Sequence, residues 1–169
     1  MKKNLVLLGM MAVGKTTLGK IVAKKQELKF IDIDASIEKK NSMTIKEIFK
    51  KKGEKFFRTE EENEVLKSLK KRNCVMALGG GGFINKNIRE NILKSAISIW
   101  LDVDVKILTE RITWNKKRPL LIKENRLKKF NELYDERKKI YQLANHKIAC
   151  NGFSKENIAK KIIEIYEKY

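Results

Sequence analysis

Apolar and polar positions along the chain fall into blocks that predict strands and helices in alternation. Residues 5–8 and 96–101 are largely apolar runs, which are typical of strands buried on both faces of a sheet. Between such runs, apolar residues recur at the spacing of amphipathic helices. Strands that alternate with helices form parallel sheets. The pattern therefore predicts an α/β fold in which a five-stranded parallel sheet carries helices on both faces.

Capping and breaking residues indicate where these elements begin and end. Thr44, with Glu47 three positions later, has the pattern of a capping box. Asn85 and Ser154 are typical helix caps, and Gly53 is expected to end a helix. The first predicted strand begins at Leu5, and the other four span 29–34, 73–78, 96–101 and 146–150. The predicted helices span 15–25, 44–52, 54–72, 85–94, 105–114, 127–144 and 154–166, and one more begins near Ala35.

The segment after the first strand carries the strongest chemical signal. Residues 9–16 fit the phosphate-binding pattern G-x-x-x-x-G-K-[ST], between a predicted strand and a predicted helix as that motif requires. Its glycines let backbone N–H groups surround a polyphosphate at a helix N-terminus. Lys15 is then expected to reach the β- and γ-phosphates, and Thr16 to bind Mg²⁺. Val13 is β-branched, so its φ is expected to be negative.

Two aspartates lie at the carboxyl end of the second predicted strand. If Asp32 and Asp34 both belong to the strand, their side chains point the same way at its carboxyl end. Open α/β sheets bind ligands at this edge, so the pair suits a metal ion or substrate hydroxyl groups. Alternatively, Asp34 caps the helix that begins near Ala35. The spacing alone favours neither interpretation.

An arginine and a run of glycines mark two further segments. Arg58 is the first arginine in the chain, and its planar fork can hold a carboxylate through two hydrogen bonds. The alternative is a pair within its own helix, with Glu61 or Glu62. The four glycines at 79–82 directly follow a predicted strand. Such a run indicates backbone that lies close to another group.

The later part of the chain contains a cationic segment and a paired motif. Residues 115–125 hold the only proline and several cations, and they predict a mobile flap. Arg137 and Tyr141 are four residues apart on one face of a predicted helix. His146 is the only histidine, and its position at the start of a strand favours a structural role.

Charge and cysteine content narrow the function classes. The formal net charge is +18, from 39 Lys and Arg against 21 Asp and Glu. Only seven of these cations are arginine, and the lysines are scattered along helices, which favours a solvated surface over a nucleic-acid interface. Cys74 and Cys150 are predicted to be buried free thiols. No signal-peptide core or membrane span is evident, so we expect a cytoplasmic protein that binds neither nucleic acid nor membrane.

Six motifs together resemble the shikimate kinases in order and spacing along the whole chain. They are the phosphate loop 9–16, Asp32-Ile-Asp34, Phe57-Arg58-Thr-Glu-Glu61, Leu78-Gly-Gly-Gly81, Arg118-Pro-Leu-Leu121 and Arg137-x-x-x-Tyr141. The phosphate loop alone indicates only nucleotide binding, whereas the full set is specific to that family. The resemblance implies a single kinase domain over 1–169 with sheet order 2-3-1-4-5. It also implies a substrate-binding subdomain over about 32–62 and a lid over about 113–124.

The resemblance further implies ATP-dependent phosphorylation of the 3-hydroxyl of shikimate, in aromatic amino-acid biosynthesis, by a monomer. At matched positions, the implied shikimate-binding residues are Asp34, Arg58, Gly80 and Arg137. The implied ATP-binding residues are Ala12, Val13, Gly14, Lys15, Thr16, Thr17 and, from the lid, Arg118. Thr16 is implied to bind Mg²⁺ directly and Asp32 to bind it through water. The implied catalytic residues are Lys15, Asp34 and Arg118, with Asp34 able to accept the proton of the attacking hydroxyl.

Two other functions stay open from the sequence. A gluconate kinase has the same phosphate loop on the same fold, but it does not need two arginines facing one carboxylate. A basic RNA-binding protein controlled by ATP would bind RNA with a steep salt dependence and would form no phosphorylated small product.

Overall fold

The computed structural model describes residues 3–113 and 124–169, and it confirms the predicted α/β architecture. Five strands form one parallel sheet: β1 (Asn4–Leu8), β2 (Lys29–Asp32), β3 (Cys74–Ala77), β4 (Ala96–Asp102) and β5 (His146–Ala149). Their spatial order is β2-β3-β1-β4-β5. The sheet order that the family resemblance implies is therefore confirmed, with β1 at the centre.

Helices cover both faces of this sheet. They are α1 (Lys15–Lys25), α2 (Ile33–Asn41), α3 (Ile45–Leu69), α4 (Lys86–Ser95), α5 (Val105–Thr113), α6 (Glu124–Tyr141) and α7 (Lys155–Tyr166). The bounds of α1 are those predicted from the sequence. Within α3, Gly53 leaves the helical conformation with φ 83° and ψ 169°, so the helix is broken where a glycine was expected to end it.

The predicted caps are present at three helices. Thr44 and Glu47 form a capping box at α3, in which each side chain binds the other residue's backbone N–H. Asn85 accepts a hydrogen bond from the backbone N–H of Ile88 at α4, and Ser154 accepts one from the backbone N–H of Asn157 at α7. These short polar side chains bind the N–H groups that have no partner within the helix.

The core lies on both sides of the central strands. Every residue of β1 and β3 is buried, and in parallel register Leu5 lies beside Val75 and Ile97. Trp100, on β4, is among the largest fully buried side chains. Because the strands are parallel, the carboxyl ends of β1, β2 and β3 meet at one edge, and the segments that follow them come together there.

Some boundaries differ from the predictions. β2 ends at Asp32, so Asp34 lies in the first turn of α2 and not in a strand. The alternative prediction, that Asp34 caps this helix, is also wrong, because the Asp32 side chain accepts the hydrogen bond from the backbone N–H of Ala35 at 3.1 Å. A 3₁₀ helix over Gly82–Ile84 has no sequence pattern that predicts it.

Three further points concern the cysteines, the length and character of the helices, and the predicted flap. Cys74 and Cys150 are buried free thiols, as the sequence predicts. In the part of the chain that the structure describes, none of the helices combines the length and the apolar character that a bilayer crossing requires. The predicted flap over 115–125 falls almost entirely on residues 114–123, which lie outside the described ranges.

Candidate active site

The phosphate loop joins β1 to α1 at the carboxyl edge of the sheet. Gly14 precedes α1 with φ 99°, and Ala12 has a left-handed backbone with φ 65°. Val13 is buried and has no positive φ, which confirms the expectation for this residue. At Gly9, an added Cβ atom would lie 2.6 Å from the carbonyl oxygen of Leu101. The loop therefore packs directly against the end of β4.

The lysine of the motif lies against its own loop. Lys15 Nζ donates hydrogen bonds to the carbonyl oxygens of Gly9 at 2.9 Å and Met10 at 2.8 Å. A cavity of about 350 Å³ opens beside this ammonium group. The cavity brings together the predicted ATP-binding residues Ala12, Gly14, Lys15, Thr16 and Thr17 with Asp32, Asp34 and Gly80. Arg111 supports the loop from α5, where its Nη1 donates to the carbonyl oxygen of Ala12 at 3.2 Å.

Two oxygen ligands suited to Mg²⁺ are adjacent at the start of α1. Thr16 Oγ1 donates a hydrogen bond to Asp32 Oδ2 at 2.6 Å. Mg²⁺ prefers oxygen ligands and commonly binds through one or two side chains, with phosphates and water completing its shell. Within 3–113 and 124–169, no group of three or more His, Cys, Asp and Glu side chains forms a metal cage. Thr16 and Asp32 therefore fit a magnesium ion that is held jointly with a phosphate.

Two carboxylates flank the glycine segment. A Cβ atom added at Gly79 would lie 2.7 Å from Glu61 Oε1 and 2.8 Å from Asp34 Oδ1. The glycine therefore lets the chain pass between the two acids. The run of glycines was expected to mark backbone that lies close to another group, and at Gly79 those groups are the two carboxylates.

Glu61 is the most deeply buried acid of the site. Its side chain is 1% exposed, and its Oε2 lies 2.8 Å from Arg58 Nη1. Its Oε1 has no hydrogen-bond partner among the described residues. Burial raises the pKa of Glu61, Arg58 lowers it, and the nearby charge of Asp34 raises it further.

The two predicted carboxylate-binding arginines line one cavity. Arg58 and Arg137 border a space of about 550 Å³ next to Gly81. A Cβ atom added at Gly81 would lie 2.5 Å from Arg58 Nη1, and one added at Gly80 would lie 3.1 Å from Arg137 Nη1. Both guanidinium groups therefore rest against the glycine segment. Gly80 borders the phosphate-loop cavity and Gly81 borders this one, so the two cavities adjoin.

The contacts of Arg58 fit both interpretations drawn from the sequence, a pair within its own helix and a side chain that can hold a carboxylate. The predicted pair within the helix exists with Glu61, and the Nη2 atom also lies 3.3 Å from Glu54. The same side chain nevertheless borders the open cavity that Arg137 lines. Arg58 is therefore held in place by acids of its own helix while it remains available to a ligand.

Of the residues predicted to form the site, most come together at this edge. Arg118 lies outside the described residues. The Val13 side chain is buried in the core and, unlike its neighbours, does not border the cavity. Sequence reasoning named Glu61 only as a possible partner of Arg58. Its burial has a signal in the spacing, because it lies four residues after Phe57 and four before Val65, both of which are buried.

Comparisons with known proteins identify relatives over nearly the whole chain. The family model described as shikimate kinase matches residues 11–167. A shikimate kinase from Bartonella henselae is 41% identical over 167 residues, which cover 99% of this chain and 80% of that protein.

Solved structures of shikimate kinases are also similar to this chain. A shikimate kinase from Acinetobacter baumannii in complex with shikimate has a TM-score of 0.92 at 32% identity, over 99% of this chain and 94% of that one. A gluconokinase from Sinorhizobium meliloti has a TM-score of 0.63 at 13% identity, over 99% and 93% of the two chains. At that identity the second likeness shows only a shared fold.

Proposed function

The chain belongs to the shikimate kinase family, and on that premise we propose that it transfers the γ-phosphoryl group of ATP to the 3-hydroxyl of shikimate. The products are shikimate 3-phosphate and ADP, and the reaction serves the biosynthesis of aromatic amino acids. The family resemblance read from the sequence is thereby confirmed. The roles of individual residues, given below, are proposals that rest on the geometry of the site.

One observation carries the choice of substrate. Two arginines, Arg58 and Arg137, line one cavity that adjoins the phosphate loop at the Gly80–Gly81 segment. Planar guanidinium groups match the geometry of a carboxylate, and shikimate carries one carboxylate on a ring of hydroxyl groups. The arginines would hold the acid group, so that the ring hydroxyls extend toward Asp34 and the phosphate loop.

Phosphoryl transfer depends mainly on positioning and on stabilisation of negative charge. We assign the alignment of the attacking hydroxyl to Asp34, which borders the same cavity as Lys15. Its carboxylate accepts the proton that the hydroxyl loses as the new O–P bond forms and the bond to ADP breaks. Lys15 would place its ammonium group on the β- and γ-phosphates in place of the loop carbonyls that it now contacts.

The magnesium ion is assigned to Thr16 and Asp32. The hydroxyl oxygen would bind it directly, and the carboxylate would hold it through water. When bound, Mg²⁺ neutralises charge on the phosphates. Asp32 also caps α2 through its other oxygen, which fixes the direction of the carboxylate.

Further assignments rest on the sequence. We propose that Arg118 reaches ATP from a lid over about 113–124, and that residues 32–62 form the substrate-binding subdomain. A monomer suffices for the described part of the site, because its residues come from one chain. Two buried free thiols suit a reducing compartment, which supports a cytoplasmic location.

A coupled ADP-release assay tests the proposal. Shikimate, gluconate and nucleoside monophosphates are compared side by side with ATP and Mg²⁺. We expect turnover with shikimate and no more than background release with the others. Turnover that is faster with gluconate would overturn the proposal in favour of the alternative that the sequence leaves open.

A further inference from the structure

The hydroxyl group of Tyr141, the last residue of α6, lies close to three parts of the site. The side chain is fully buried. Its hydroxyl donates a hydrogen bond to the carbonyl oxygen of Gly80 and lies 3.8 Å from Sδ of Met10 in the phosphate loop. The Arg137 guanidinium group, one turn earlier on the same helix, lies near enough to this hydroxyl to lower its pKa. The proposed function gives this tyrosine no task.

The hydroxyl keeps its proton near neutral pH. Burial raises the pKa of Tyr141 to about 12, although the nearby Arg137 cation opposes that rise. A tyrosine hydroxyl supplies one donor and two acceptor sites. One group can therefore donate to the Gly80 carbonyl and accept from Arg137 at the same time.

The hydrogen bond to Gly80 and the proximity of Arg137 restrict the orientation of both partners. A trans peptide unit is planar, so a bond to the Gly80 carbonyl also fixes the direction of the Gly81 N–H, which points the opposite way. Arg137 has a long side chain with many rotamers, and a buried hydroxyl close to its guanidinium group restricts them. Gly80 and Arg137 are both among the proposed shikimate-binding residues.

We propose that Tyr141 is a positioning residue for shikimate: its hydroxyl holds the Gly80 peptide and the Arg137 guanidinium in their binding geometry and joins both to the phosphate loop at Met10. This inference rests on the proposed function. It gives the spacing of Arg137 and Tyr141 within one helix a physical reason, because a guanidinium and a hydroxyl four residues apart lie on one face.

The test is Tyr141→Phe, with Tyr134→Phe as the matched control. Tyr134 lies two turns earlier on α6, and its hydroxyl donates to Asp102 Oδ1 at 2.7 Å, away from Gly80 and Arg137. Both variants remove one tyrosine hydroxyl from the same helix and keep the ring. The Phe ring at 141 retains its packing against Trp100, whose ring centre lies 5.9 Å away.

We expect Tyr141→Phe to raise the KM for shikimate by about tenfold, because two site groups lose a buried partner. The KM for ATP should stay within about twofold, since the phosphate-loop backbone is intact. Tyr134→Phe should leave both KM values unchanged. Thermal unfolding of both variants shows how far each lost hydroxyl affects the fold.

A residue that served only the fold would lower the melting temperature without a selective change in KM. If Tyr141→Phe keeps the wild-type KM for shikimate while Arg137→Ala raises it, Tyr141 is a packing residue and the inference is wrong. If Arg137→Ala also leaves that KM unchanged, the proposed shikimate site itself is wrong, and the role of Tyr141 fails with it.

Discussion

Arg58→Ala should weaken shikimate binding and destabilise the fold, because one side chain serves both. Its Nη1 atom pairs with Glu61 Oε2 at 2.8 Å, and the guanidinium group borders the cavity that Arg137 also lines. The variant removes a proposed partner of the substrate carboxylate. It also removes a cation from a buried acid.

The two losses can be estimated separately. Charge-assisted hydrogen bonds contribute about 1.5–3 kcal/mol, so affinity for shikimate should fall roughly ten- to a hundredfold. A buried acceptor that loses its partner costs about 1–3 kcal/mol of folding free energy. The lower part of that range applies because the Arg58 side chain is 35% exposed, so water already screens the pair. For a chain of this length, 1 kcal/mol lowers Tm by roughly 2–4 °C.

The loss of stability should depend on pH in a defined direction. Burial raises the pKa of Glu61, and Arg58 opposes this effect. In the variant, the folded-state pKa of Glu61 therefore rises further above its unfolded value. Below that unfolded value, about 4.3, the carboxyl is protonated in both states and adds no penalty. The penalty grows as pH rises from the unfolded-state pKa to the folded-state pKa and is complete above it, so the Tm difference should be larger at about pH 8 than at about pH 5.

Calorimetric titrations with shikimate and with ADP, together with thermal unfolding at both pH values, measure these effects. ADP affinity should stay unchanged. Adding Glu61→Gln to the variant should remove most of the extra pH dependence, while shikimate affinity stays low. Equal weakening of both ligands, or unchanged shikimate affinity, would show that Arg58 does not bind the substrate. A Tm difference that is the same at both pH values would show that Glu61 is not its charged partner.

Two other substitutions test the remaining parts of the site. Lys15→Ala should reduce kcat at least about a hundredfold, because it removes the main protein cation near the transferred group. Circular dichroism should show an intact fold, and near-normal turnover would refute the phosphate-loop assignment. Gly79→Ala should raise the KM for shikimate and lower the unfolding free energy by about 1–3 kcal/mol, because the new methyl group must displace Glu61 and Asp34. An unchanged KM would show that Asp34 does not bind the substrate.

Much of the fold follows from local signals in the sequence. The phosphate-binding motif fixes both ends of the first loop, and α1 begins at the predicted Lys15. Thr44, Asn85 and Ser154 mark helix starts because capping depends only on residues within one turn. The sheet order required the family resemblance, since the pattern of apolar residues does not state which parallel strands are neighbours.

Features that depend on tertiary contacts were harder to predict. Asp34 was expected on a strand or at a cap, but the chain turns into α2 one residue after Asp32, and the earlier aspartate takes the cap. Glu61 lies in a run of acids that suggests an exposed surface. Its spacing from Phe57 and Val65 places it on the buried face of α3, but its close contact with Gly79, from a segment distant in sequence, could not be predicted locally.

The two glycines of the phosphate loop both have positive φ angles, 139° at Gly9 and 99° at Gly14, but only Gly9 is also constrained by close packing. A side chain at Gly9 would collide with the Leu101 carbonyl at 2.6 Å, and that backbone belongs to a neighbouring strand. At Gly14, the nearest atom to an added Cβ is Leu18 Cδ1 at 3.8 Å, so its requirement is the backbone angle of 99°. Over evolutionary time, the first glycine can change only if the sheet edge moves with it. The second is retained by its backbone angle alone, which residues with a Cβ atom rarely adopt, so its replacement would strain the loop without any collision.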